Sequence, residues 1–342
     1  MIKSGFKWMF LIIGTTIGAG YASGRELWEF FGHGSGLAIL LFIILFSFSC
    51  IVIMNVSYQK QSTEYRPVLK DIVGDKLAKI YDVMIFVYLY TTTVIMLSGS
   101  GATGQAFNFP YWWGIVFIVI ALIILFLRDI TGLLSINQVI LPILLIGLLS
   151  ILLKFTVDQE LQLFSHWDEQ HNWMAAFPFT ALNILPLIAV LGAIGDKVES
   201  KKEIWFACIG SGLILGLITY IYNNSLIQIA DELLLYEIPL FAILKNYPFQ
   251  MVIFMSILLW FAIFTTAASG ILGIVTRVKS YFQQYPFGLL VIIILLTMIP
   301  LTKLGFSNLI GFLYPIYGIL NLYVLTRLIL YPVWNNANAR KK

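Results

Sequence analysis

Apolar runs of about twenty residues recur along the whole chain, each closed by charged residues or by proline and glycine. A helix rises about 1.5 Å per residue, so one such run is long enough to cross the roughly 30 Å hydrocarbon core of a bilayer. About ten spans are expected, near 8–31, 36–58, 80–100, 110–127, 133–153, 173–195, 204–226, 248–275, 286–302 and 306–330. Hydrophobic residues make up 60% of the 342, charged ones 11%, and mean hydropathy is +0.90. Soluble domains hold only about 45–50% apolar residues, so the fold class is all-α integral membrane, with the lipid bilayer as a partner.

Charge placement sets the expected topology. With the N-terminus inside, every Lys and Arg falls on the inner side except Lys154, Lys245, Lys303 and Arg25, the last lying within a span. The positive-inside bias therefore puts both termini in the cytoplasm of a multi-pass protein of the cell membrane, and an even number of spans keeps the pattern in phase. The formal charge of +4 is spread over short loops, so no nucleic-acid partner is expected. Cys50 and Cys208 lie within different spans and read as small core residues rather than a disulfide framework. Lys3 and Lys7 before a short apolar run and Ala19-Gly20-Tyr21-Ala22 imitate a signal peptide, but the many later spans favour retention of this segment. Tyr111, Trp112, Trp113, Trp167, Trp173, Tyr331 and Trp334 sit near span ends as headgroup anchors. The outer 227–247 connection, with Asp231, Glu232 and Glu237, reads as a helical lid or a solvated loop.

Two spans are damaged. Ile13–Glu29 carries Gly14, Gly18, Gly20 and Gly24 together with Arg25 and Glu26, where an ordinary membrane helix would be uniformly apolar. Each glycine costs roughly 1 kcal/mol against alanine in a helix. Backbone freed at membrane depth survives only when it is buried in protein or lines a cavity. In the sixth span, Phe179–Pro186 places Asn183 and a proline at mid-depth. Aligning Trp8 with Trp173 carries Gly18 onto Asn183, and five spans per half send the second half in from the opposite side. Inverted repeats of about 8–154 and 173–330 within a single domain, 1–342, are expected. Paired breaks in such halves point to a secondary transporter's binding site. The plainer reading is a proline kink and glycines used for packing.

Gly14-Thr15-Thr16-Ile17-Gly18-Ala19-Gly20 resembles the G-x-x-[V/I]-G-x-G break in the first helix of leucine-transporter (LeuT) fold proteins of the amino acid–polyamine–organocation superfamily. The longer string IGAGYASGRE is similar to the YkvI-type membrane proteins of that superfamily. The resemblance implies a LeuT-like 5+5 inverted repeat with helices 1 and 6 broken.

The freed N–H groups of Gly18, Ala19, Gly20 and Tyr21 are the expected cradle for a substrate carboxylate, at the positive end of the outer half-helix. The resemblance assigns the same role to this stretch and adds carbonyls near Phe179, Thr180 and Asn183 for the amine. Tyr88 or Tyr90 on the third span would supply a hydroxyl or cover the ligand, or simply pack. In the eighth span, Ala262-Ile263-Phe264-Thr265-Thr266 resembles the A-x-x-[ST]-[ST] pattern of sodium-coupled members. The implied site joins Ala262, Thr265 and Thr266 to the carbonyls of Gly14 and Ile17, all oxygen ligands suited to a hard cation. The alternative is that Thr265, Thr266 and Ser269 bond to their own helix. Arg25 and Glu26 read as an outer gate, as a proton carrier in the case of Glu26, or as a snorkelling pair. Family members often carry a neutral residue at the position of Arg25.

Two strings carry no chemistry of their own. Gly99-Ser100-Gly101-Ala102-Thr103-Gly104 matches a nucleotide fingerprint but follows a membrane helix, with Ile123 and Ile124 where a ribose-binding acid belongs. His166-Trp167-Asp168-Glu169-Gln170-His171 reads as a solvated loop rather than a zinc site. No hydrolase motif appears, so an enzyme is not expected. The expectation is a secondary transporter of a small amino acid or related zwitterion, with no organic cofactor and with sodium as coupling ion. A proton-coupled permease using Glu26 is the alternative. So is a non-transporting sensor or scaffold, with 59–79 as its docking segment. Nothing in the sequence sets the oligomeric state.

Overall fold

The computed structural model describes the backbone of residues 2–128, 131–161, 170–279 and 281–339. The His166–Glu169 part of the loop motif lies outside the described residues. Eight described helices are long and apolar enough to cross a membrane, and Tyr111–Leu127 is a shorter apolar one. The first span makes the tenth crossing in pieces, Ile2–Thr16, Ala19–Ala22 and Arg25–Phe30. The second is Gly36–Lys60, the third Asp75–Gln105, the fourth Tyr111–Arg128 and the fifth Thr131–Asp158. The sixth is Trp173–Leu191, the seventh Lys201–Gln228, the eighth Phe249–Lys279, the ninth Phe287–Leu304 and the tenth Phe306–Val333. Side chains such as Ile44, Phe117, Ile146 and Phe312 are more than half exposed around the perimeter, where lipid takes the place of water.

Packing follows an exchange rule between the halves. The first span packs on the seventh and the sixth on the second; the third packs on the fourth and the eighth on the ninth. The tenth meets the third as the fifth meets the eighth, while second with seventh, third with eighth and fourth with ninth are pairs that map onto themselves. Replacing each span by its counterpart five places on leaves these pairs unchanged, as a 5+5 inverted repeat requires, whereas the packing of the tenth span on the sixth has no fifth-on-first counterpart of like extent.

Small residues let the third and fourth spans approach closely. A Cβ added at Gly114 would lie 2.4 Å from the Ser100 carbonyl oxygen, and one at Gly101 would meet the Tyr111 ring at 2.6 Å. Ser100 donates to the Gly114 carbonyl (2.9 Å) and accepts from the Trp260 indole (3.0 Å). The apparent nucleotide string is therefore a helix-packing surface inside Asp75–Gln105. Cys50 and Cys208 are buried free thiols.

Two connections are structured. At one end of the bundle lies the amphipathic helix Tyr65–Val73. Lys60 pairs with Asp71 (3.0 Å), Lys70 with Asp75 (3.1 Å) and Arg66 with Asp82 (3.1 Å). Tyr65 donates to Asp82 and accepts from Arg277 of the eighth span. Burial first, and the Asp82 carboxylate after it, hold the Tyr65 phenol above its ordinary pKa. Three of the basic residues proposed for partner docking are thus engaged within the molecule. On the other side, the 227–247 connection folds as the short helix Pro239–Leu244, all of it buried, with Lys245 paired to Glu232. Its Leu240 N–H donates to the Ser23 carbonyl of the first span (2.9 Å). Glu237 accepts from Phe306 N–H (2.7 Å) and Ser307 N–H (3.1 Å), capping the start of the tenth span. The lid is helical and seated on two spans.

Candidate functional site at the broken first span

The first helix stops at Thr16, and Gly18 is extended at φ −90°, ψ −176°. Its N–H turns to the Thr16 carbonyl (3.0 Å) instead of reaching back to Gly14, while Ile17 still donates to Ile13 (2.8 Å). The Gly14 carbonyl thereby loses its helical donor. Helix resumes for one turn, with Ala22 donating to Gly18 and Ser23 to Ala19 (2.9 Å each), and stops again at Gly24. Gly24 has φ +82°, and a Cβ there would sit 2.6 Å from the Tyr222 hydroxyl. Only glycine fits this left-handed, crowded position.

This second break corrects the expectation of an outer half-helix. The segment behind Gly18 is four residues long, so few peptide dipoles add up toward a bound anion. The Tyr21 side chain points away from the break, its hydroxyl bonded to the Leu215 carbonyl (3.0 Å) and to Thr219 (2.7 Å) on the seventh span. Ala19 is fully buried. A Cβ added at Gly18 would meet nothing within 4 Å, so there is open space beside the break.

The charged pair is also rearranged. Arg25 binds Glu29 (2.7 Å), one helical turn on, rather than Glu26. Glu26 is 5% exposed, and no Lys, Arg or His among the described residues lies within ion-pair distance of it. Its Oε2 stands 3.0 Å from the Cβ position of Gly20, which is also 3.1 Å from the Tyr314 ring and 3.3 Å from the Tyr314 hydroxyl. Tyr88 on the third span and Tyr314 on the tenth both lie within electrostatic reach of Glu26. Tyr88 packs edge-on to Tyr317 at 5.1 Å, and the Tyr317 hydroxyl meets Thr91 at 2.7 Å. Tyr90 is engaged elsewhere, with Thr297 (3.1 Å). Of the residues named from sequence, Gly20 and Glu26 meet directly, with Tyr88 within electrostatic reach of Glu26. Tyr314 was missed, because a Tyr-Pro step among many membrane tyrosines carries no distinguishing signal.

The sixth span does not open at 179–183. It is continuous α-helix over Ala176–Leu191, and helix ends at Gly192. Thr180 donates to the Ala176 carbonyl (2.6 Å) and the Asn183 amide to that of Phe179 (3.0 Å). These polar groups serve their own helix, as membrane Ser, Thr and Asn often do. Pro186 removes one helical donor without interrupting the helix. Phe179 is fully buried against Phe31 (4.6 Å), Phe42 (4.8 Å) and Phe30 (5.4 Å), an aromatic cluster that closes the end of the first span.

The eighth span packs against Ala19–Ala22. Thr265 is buried and its hydroxyl donates to the Phe261 carbonyl (3.0 Å) or that of Ala262 (3.2 Å), the helix-bonded alternative read from sequence. Thr266 is half-buried, and its hydroxyl makes no such back-bond.

No family model matches the chain. Its structure is similar to that of MhsT in complex with L-phenylalanine, with a TM-score of 0.62 and 16% identity, covering 96% of this chain and 88% of that one. It is also similar to the manganese transporter of Eremococcus coleocola in a mutant form (TM-score 0.61, 13% identity, 96% and 78% covered). The inward-facing form of Mhp1 gives 0.60 at 14% identity, with 94% and 75% covered. These likenesses establish the LeuT-type fold. In sequence, the membrane protein YkvI of Bacillus subtilis is 24% identical over 323 residues, 92% of each chain. The uncharacterized protein YyaD of Bacillus subtilis is 46% identical over 331 residues, 97% of this chain and 98% of its own. Identity of that level over nearly both full lengths means that the chain belongs to the YyaD family.

Proposed function

We propose that this protein is a secondary active transporter of a small amino acid or related zwitterion, coupled to sodium. It works by alternating access in the cell membrane, with both termini cytoplasmic. The observation that carries the reading is the break at Ile17–Gly18, where backbone leaves helical bonding in mid-membrane beside open space and a buried carboxylate. Such backbone is the usual material of ion and substrate sites in transporters built from inverted repeats. The halves at about 8–154 and 173–330 then rock about the break, with the amino acid–polyamine–organocation superfamily as the wider relation. The likeness to MhsT, whose structure holds L-phenylalanine, favours a zwitterion. Sodium is assigned to the Gly14 and Ile17 carbonyls with Ala262, Thr265 and Thr266, on the grounds that Gly14 has lost its helical donor and the eighth span lies against Ala19–Ala22.

Ligand affinity of the purified protein against sodium concentration tests this, together with counterflow in proteoliposomes. Ion and ligand sharing one broken helix should tighten each other by a common factor, typically 5–150-fold. Thr266→Ala should weaken the sodium dependence before it weakens affinity at saturating sodium. A second reading, proton coupling through Glu26, is favoured by the burial of that carboxylate without an ion pair. Affinity that ignores sodium, follows pH and disappears in Glu26→Gln selects it. Binding without counterflow identifies a sensor.

A further inference from the structure

Among the described residues, Glu26 is a buried carboxylate that no ion pair compensates. It sits in the first span, 5% exposed, one residue from an arginine that is committed to Glu29. No hydrogen bond joins its carboxylate to any described residue, and the phenol hydroxyls of Tyr88 and Tyr314 beside it are likewise without a described partner. Intramembrane carboxylates in natural proteins are paired or functional, because an isolated one is costly to bury. Around it stand Gly20, whose missing side chain leaves the carboxylate room, the ring edge and hydroxyl of Tyr314, and, within electrostatic reach, Tyr88.

From this geometry we infer that Glu26 is the ligand's counter-charge: it binds an ammonium group between the Gly20 backbone and the rings of Tyr88 and Tyr314. The inference rests on the break being a ligand site and specifies which end of the ligand the site recognises. An anion placed at Gly20 would stand beside a carboxylate oxygen only 3.0 Å from that residue's Cβ position. The single helical turn Ala19–Ala22 offers little dipole to oppose that repulsion. An ammonium there gains a charge-assisted hydrogen bond to Glu26, with the Tyr314 hydroxyl as a second acceptor. A single carboxylate with phenols suits a monovalent organic cation, whereas a divalent metal takes six or more hard oxygen ligands or several carboxylates. The amine is thus the essential recognition element, and the carboxylate of an amino acid points toward the open space at Gly18.

The test uses the full chain, purified, with affinity read by calorimetry and thermal stabilisation. The probes are three matched sets: L-alanine, ethylamine and propionate; L-leucine, 3-methylbutylamine and 4-methylpentanoate; L-phenylalanine, phenethylamine and 3-phenylpropionate. In the set whose amino acid binds, the amine should keep its affinity to within tenfold and the carboxylate should lose at least a hundredfold. Glu26→Gln should weaken the amine tenfold or more and leave the carboxylate unchanged or tighter, a selectivity change that general loosening of the site would not produce. Tyr88→Phe should have a smaller effect in the same direction. A carboxylate that binds as well as its amino acid overturns the inference in the wild-type protein, with no variant needed. So does undiminished amine affinity in a monodisperse Glu26→Gln protein, and either result leaves the zwitterion reading in place. No binding by any of the nine compounds overturns both.

Discussion

The first and sixth spans occupy equivalent places in the two halves, and both look damaged in sequence, yet only the first is unwound in mid-membrane. The difference lies in the kind of damage. In the first span glycines at 14, 18, 20 and 24 remove side chains from both faces, so helical backbone gains little packing to offset its low propensity. Neighbours then decide the outcome: Tyr222 presses on Gly24 from the seventh span, and Tyr314 and Glu26 fill the space beside Gly20. In the sixth span Pro186 deletes one hydrogen bond, while Phe179, Leu182 and Leu185 remain large, buried and well packed. A span that has lost one donor but kept its side chains stays helical; a span that has lost side chains yields. The pairing of interruptions read from sequence confuses these two cases.

Gly24→Ala is the substitution that should damage this arrangement most. A left-handed φ costs an L-residue roughly 1–2 kcal/mol, and forcing a methyl against Tyr222 adds roughly 1–3 kcal/mol. A clear drop in Tm, with loss of ligand binding, is expected; an unchanged Tm would show that the chain between the two outer pieces is not held as described. Next comes Gly20→Leu, which should leave a monodisperse protein with ligand affinity reduced beyond measurement, since the new side chain displaces Glu26 and Tyr314. Gly18→Ala, with open space at its Cβ position and an ordinary φ, should by contrast change Tm little. Equal effects at Gly18 and Gly20 would erase the distinction between the open and the lined side of the break. The smallest effect belongs to the sixth span. Pro186→Ala restores a donor worth about 1 kcal/mol at most, and both Tm and ligand affinity should stay close to wild type. Abolished transport in a stable Pro186→Ala protein would mean that the sixth span opens at this point during the cycle, and would restore the symmetry with the first.

Legibility in the sequence varied with the range of the deciding interaction. Ten crossings and the break near Gly18 follow from local composition, and the structure has both; of the two readings of the 227–247 connection, helix or solvated loop, it contains the short helix Pro239–Leu244. The pairing of Arg25 with Glu29 was available from its i,i+4 spacing, but the adjacent Glu26 drew the reading toward a neighbouring pair. The failure at Phe179–Asn183 came from treating proline and asparagine as breakers, when the Asn183 amide could bond to its own helix. The second break at Gly24 was visible as a glycine but not as a left-handed one, because the ring that crowds it belongs to Tyr222, six spans further along the chain. Tyr314 had no local mark at all.

Hydrophobic run length and the glycines of the first span were enough to determine a many-span membrane protein and the place where its first helix gives way, because apolar length and helix propensity act on each span separately. Tertiary structure alone decided which damaged span stayed helical, that Arg25 turns away from Glu26, and that Glu26 and Gly20 of the first span meet Tyr314 of the tenth. Those outcomes depend on side chains far apart in sequence filling, or failing to fill, the same volume, and residue order along a single span carries no information about that.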